Sequence, residues 1–198
     1  MEKPRIAITM GDGAGIGPEI IMKALKHQEL YERSRPFVVG DAKILKRAAR
    51  IVGSNLEVRA ISSLDEATYQ YGTVDCVDLN LLPEDLAFGK VSKEAGNAAF
   101  RFLEKAIELA KRGEIEAICT APLNKEALHL AGHRYPGHTE ILAELTGTKD
   151  YAMMLTAPTL RVIHVTTHVG LIDAIRKITP ERTYKVIELA DETLKRAG

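Results

Sequence analysis

Two histidines in this chain sit where chemistry is commonly done. His138 and Thr139, within Tyr135-Pro136-Gly137-His138-Thr139-Glu140, place an imidazole beside a hydroxyl just where a helical pattern begins. Such a pair can hydrogen-bond phosphate or carboxylate oxygens, and the free N–H groups of a helix start add further donors. Thr139 could serve as a helix cap by itself, so a cap does not account for His138, and the two read as an anion-binding pair. Thirty residues on, His168 closes the β-branched run Leu160-Arg161-Val162-Ile163-His164-Val165-Thr166-Thr167. This run reads as a strand with a histidine at its carboxyl end, the end at which α/β sheets bind ligands. Neutral imidazole makes His168 a candidate metal ligand. One histidine is not a metal site, however, because three or four protein ligands are normally needed.

Other residues carry a functional and a plain reading side by side. Lys125 follows Ala121-Pro122-Leu123-Asn124 beyond a predicted strand, where it would face an anionic ligand or simply stand in solvent. The loop Gly11-Asp12-Gly13-Ala14-Gly15-Ile16-Gly17-Pro18-Glu19 lies between a strand and a helix, so its glycines would admit a ligand close to the backbone or make a tight turn. Its spacing fits neither the dinucleotide fingerprint nor the Walker loop. His164 reads as a strand-surface or core histidine. His129 and His133 lie near a helix C-terminus, where the macrodipole explains a histidine.

The elements that must position these residues alternate between strand and helix patterns, which is α/β syntax. Strands are predicted at Arg5–Met10, Pro36–Gly40, Leu56–Ile61, Thr73–Leu79 and Glu116–Thr120. Helices are predicted after Pro18, from an Asp41 cap to about Val52, and from a Ser92 cap to about Arg112 with Gly113 ending it. Shorter helices follow at Asn124–Leu130 and Glu140–Leu145, and a last one begins at a Thr179 cap. Tyr151–Leu155 and Leu160–Thr166 read as an antiparallel pair, so the expected sheet is mixed but largely parallel and flanked by helices. The expected domains are residues 1–120 and 121–198. The final helix is not followed by the strand an α/β unit would place next, so the chain reads as the N-terminal part of a longer one.

Composition narrows the field. With 198 residues, 45% hydrophobic content and 27 basic against 27 acidic side chains, the chain can build a real core and offers no basic surface for nucleic acid. No signal peptide or long apolar span is visible, so a cytoplasmic location without membrane association is expected. Cys76 and Cys119 fall in apolar runs and are read as buried thiols, not as a disulfide or metal pair.

Taken together, the glycine-rich loop, Ala121-Pro122-Leu123-Asn124-Lys125, Tyr135-Pro136-Gly137-His138-Thr139-Glu140 and Val165-Thr166-Thr167-His168 resemble the 4-hydroxythreonine-4-phosphate dehydrogenase family. The run from Thr120 to Glu140 looks most like its branch acting on D-threonate or D-erythronate 4-phosphate. The resemblance implies a fold like that of isocitrate and isopropylmalate dehydrogenases, and a homodimer. It further implies NAD as oxidant, NADP being the variant, and a divalent metal, zinc foremost. The expected reaction is oxidation and decarboxylation of a 4-phosphorylated four-carbon 3-hydroxy acid. By position, His138 and Thr139 match the family's substrate-binding pair and His168 the first of three metal-binding histidines. The other two belong to motifs this sequence does not contain. Gly13 stands where the family usually has proline, which loosens the turn without removing side-chain chemistry. Two other readings share these residues: a phosphate- or coenzyme A-dependent acyltransferase of related fold, and a catalytically incomplete chain that binds an anionic metabolite.

Overall fold

Five apolar runs become the strands of one parallel sheet. A computed structural model describes residues 2–197, with β1 (Arg5–Thr9), β2 (Arg35–Gly40), β3 (Glu57–Ile61), β4 (Thr73–Asp78) and β5 (Ala117–Thr120) in the order β3-β4-β2-β1-β5. Ile8 of β1 pairs with Val38 on one side and Cys119 on the other, so β1 is an interior strand and β5 is an edge. Strands β2 and β4 are almost continuously buried, as expected of a parallel sheet covered on both faces.

The covering helices are α1 (Gly17–Ala24), α2 (Gln28–Arg33), α3 (Ala42–Ile51) and α4 (Lys93–Lys111). The crossovers from β1 to β2 and from β4 to β5 run in opposite directions along the sheet. By the right-handed rule for parallel crossovers this puts α1 and α3, which touch each other, on one face and α4 on the other. Ser92 caps α4 as expected, its Oγ accepting from Ala95 N at 3.0 Å. Asp41 starts α3 but does not cap it. Its Oδ2 turns to accept from Leu82 N at 2.9 Å, and Asp78 Oδ1 takes Ala42 N at 2.9 Å in its place.

Helix α4 buries two stripes. Ala95, Ala98, Phe102, Ala106 and Leu109 join the sheet's core, while Phe100, Leu103 and Ile107 form a second cluster with Leu128 and Ile141. Those last two belong to α5 (Lys125–Leu130) and α6 (His138–Thr146). Residues 121–146, expected to open a second domain, thus pack on α4 within a compact unit that spans residues 1–146.

A second compact unit, residues 147–198, holds β6 (Met154–Thr156), β7 (Arg161–Ile163), α7 (Leu171–Lys177) and α8 (Pro180–Ala197). Strands β6 and β7 are antiparallel as expected, but they form a sheet of their own, and the five-stranded sheet is parallel throughout. Thr179 caps α8, its Oγ1 accepting from Arg182 N at 3.2 Å. Helices α2 and α7 add to the elements expected from the sequence. Cys76 is buried, whereas Cys119 is exposed because β5 is an edge strand and not a covered one. Among the described residues no helix is long and apolar enough to cross a membrane.

Candidate substrate-binding site

The opposed crossovers leave the loops after β1 and β5 side by side at the carboxyl edge of the sheet, the point where α/β sheets open a crevice for ligands. Here the two loops are joined. Asp12 N donates to Pro122 O at 3.0 Å, and Gly11, at φ 69°, lies so near that a Cβ would sit 2.3 Å from that same oxygen. Asp12 Oδ1 accepts from Ala14 N at 2.8 Å and closes the turn. Burial pushes the Asp12 carboxyl above its ordinary range, against the opposite pull of the Ala14 N–H. A Cβ on Gly13 would meet Leu82 Cδ1 at 2.4 Å. Residues 11–14 are buried, so of the two readings of this loop the geometry supports the tight turn.

From this junction the chain enters α5, capped by Asn124, whose Oδ1 accepts from Ala127 N at 3.0 Å. Lys125, the first residue of α5, is exposed. Helix α5 lies close on α4 because Gly96 offers no side chain there. A Cβ on Gly96 would be 2.0 Å from Ala127 O.

A seven-residue loop, 131–137, then leads to α6, and its side chains hold it in place. His129 Nε2 lies 2.9 Å from Tyr135 O, and Tyr135 Oη donates to Glu144 Oε1 at 2.9 Å. The His133 ring stacks on Phe100 at 3.8 Å between centroids, and its Nε2 lies 3.0 Å from Asn97 Oδ1. Burial lowers the His133 pKa. The helix dipole is therefore not what occupies these two histidines.

The loop delivers His138 as the first residue of α6. Ile141 N points to Gly137 O at 3.4 Å, so Gly137 occupies the cap position and Thr139 lies inside the first turn. Both His138 and Thr139 are half-buried. Burial lowers the His138 pKa and so favours the neutral imidazole. A neutral imidazole, a hydroxyl and the first-turn N–H groups together offer hydrogen bonds to an anion.

His168 is exposed and left-handed at φ 57°, five residues past the end of β7. His164 is half-buried, and its N donates to Met153 O at 2.9 Å, extending the antiparallel ladder. Among the described residues no three His, Cys, Asp or Glu side chains are grouped to hold a metal ion. The described residues therefore do not make a metal centre by themselves.

The fold and this edge are those of an α/β protein with a parallel sheet and its candidate site at the carboxyl ends of the strands. Residues 32–198 match the family described as pyridoxal phosphate biosynthetic protein PdxA, and the chain belongs to that family. It is 58% identical over 195 residues to a D-threonate 4-phosphate dehydrogenase of Cupriavidus necator, covering 98% of this chain and 59% of the relative. A crystal structure of a 4-hydroxythreonine-4-phosphate dehydrogenase from Burkholderia phymatum superimposes with a TM-score of 0.93 at 56% identity, over 100% of this chain and 60% of that one. A Terephthalate 1,2-cis-dihydrodioldehydrogenase from Burkholderia xenovorans LB400 is more distant, with a TM-score of 0.67 at 28% identity over 98% of this chain and 58% of that one. The chain spans about 60% of the length of the curated relatives it matches.

Proposed function

We propose that this chain forms the substrate-capturing part of a dehydrogenase that oxidises and decarboxylates a four-carbon 3-hydroxy acid phosphorylated at C4, with D-threonate 4-phosphate the favoured substrate. The observation that carries this reading is the 58% identity to a D-threonate 4-phosphate dehydrogenase across nearly the whole chain, against 28% to a dehydrogenase of an unphosphorylated diol. D-erythronate 4-phosphate and 4-hydroxythreonine 4-phosphate are the neighbouring candidates.

In this reading His138 and Thr139 bind an anionic group of the substrate and contribute by orientation. The neutral imidazole suits that role, since it can donate to an oxygen without needing a counter-charge in a half-buried place. Lys125 adds a positive charge beyond the end of β5. The reading takes NAD as oxidant, a divalent metal such as zinc with His168 as one ligand, a homodimer and a cytoplasmic location from family resemblance. The described residues by themselves assemble neither a metal centre nor an open phosphate loop.

NADH formation tests the reading, measured for this chain with zinc and each of the three 4-phosphates, beside calorimetric binding of each. Turnover or binding selective for D-threonate 4-phosphate supports it. Binding of inorganic phosphate as tight as that of the sugar acids would replace it with a general anion-binding role.

A further inference from the structure

We infer that His129 is a positioning residue for the His138–Thr139 pair, acting through the carbonyl of Tyr135. The inference rests on the proposal that this pair holds the substrate's anionic group.

Loop 131–137 contains Gly132 at φ 92° and Gly137, and a segment of that composition has many accessible conformations of its own. Tyr135, three residues before His138, is nevertheless fixed at three points. Its hydroxyl donates to Glu144 on α6, its ring lies parallel to Phe100 at 6.0 Å and 13°, and its carbonyl meets His129 Nε2 at 2.9 Å. A carbonyl oxygen only accepts, so Nε2 carries the hydrogen whichever state Nδ1 is in. The first two ties reach α6 and α4. The third ties the loop to α5, and α5 is set by Gly96 on α4 and by the Asn124 cap beside the junction of the β1 and β5 loops. Leu128 also packs with Ile141, and His133 N donates to Leu128 O at 3.1 Å, but His129 is the side chain of α5 that holds the Tyr135 carbonyl, three residues before α6 starts.

A packing role does not explain this residue. His129 is exposed, and it is absent from the cluster of Phe100, Leu103, Ile107, Leu128 and Ile141 beneath it. An exposed hydrogen bond contributes little to global stability, but a binding group displaced by a fraction of an ångström loses much of its affinity. His133 differs, because it stacks on Phe100 and its loss would disturb packing directly.

The test compares H129L, which removes the donor, with H129Q, whose Nε2 amide can reach the same carbonyl. D-threonate 4-phosphate affinity, melting temperature, amide exchange over residues 135–139 and the NMR titration of His138 are measured for each. H129L is expected to melt within about 2 °C of the parent and bind about tenfold more weakly. Its loop amides should exchange faster, and His138 should titrate closer to an ordinary histidine as water enters. H129Q should restore all of these. Unchanged loop exchange and His138 titration in H129L overturn the inference, as does a collapse of melting temperature that H129Q does not repair. If the parent and H138A bind the substrate equally, the function reading fails instead, and the exchange and titration data still decide the role of His129.

Discussion

In residues 1–146, Phe37, Leu45, Phe102, Leu103 and Ile141 are sealed from solvent, whereas among the described residues of 147–198 Val186 is the one fully buried hydrophobic. Leu171, Ile172, Ile175 and Tyr184 in the second unit are each 65% exposed or more. The contrast separates two ways of holding a helix. Helix α4 is fixed by tertiary packing on both of its apolar stripes. Helices α7 and α8 rest more on local terms, the Asp173–Arg176 pair in α7 and, in α8, the Thr179 cap with the Lys185–Glu188 and Lys195–Asp191 pairs, all weak in solvent.

The sharpest way to break that contrast is a matched pair of truncations. Phe102→Ala should cost about 3–5 kcal/mol by denaturant titration, while Ile175→Ala should stay within about 0.5 kcal/mol. Equal losses would mean the second unit has a core of its own. Next in size, Gly96→Ala forces α5 off α4 and should destabilise by about 1–3 kcal/mol with a parallel loss of anion affinity, because His129 and Lys125 move with α5. Ile172→Ser with Ile175→Ser should leave the melting temperature nearly unchanged yet reduce binding of an apolar fluorescent dye, since the exposed surface is what the dye sees.

The smallest effect is on pH. His138 and His133 both have lowered pKa values in the folded chain, so the unfolded chain takes up protons first as pH falls below the ordinary 6.5. Their contribution to stability is complete above that value and is lost as pH falls through the folded values. Denaturation midpoints at about pH 7.5 and 5.5 should show the decline, and H133F should reduce it while keeping the stack on Phe100.

What could be read from the sequence follows from range. The strands and the Ser92 and Thr179 caps are local signals, and the structure has them. Helix α7 was legible too, since Leu171, Ile172, Ile175 and Ile178 repeat with helical spacing after Gly170; α2 is only six residues long and carries no comparable stripe. Asp41 failed as a cap because Leu82, forty-one residues away, offered its carboxylate another donor. Cys119 failed as a buried thiol because an apolar run of four residues does not tell an edge strand from a central one. At the site, residue types pointed to His138 and Thr139, but the loop tethers depend on Asn97 and Phe100, over thirty residues earlier.

The placement of β1 beside β5 also governs when the site comes into existence during folding. Arg5 N reaches the Glu116 carboxylate across 111 residues of chain, so this pairing closes one of the largest loops in the first unit. Parallel pairings of such separation form slowly, after local helices and nearer strand pairs. The Asp12–Pro122 junction can appear only once this late closure is made. The expected order is α1 through α4 first and the edge that carries α5, the tethered loop and His138 afterwards, so refolding should recover helical signal before it recovers anion binding.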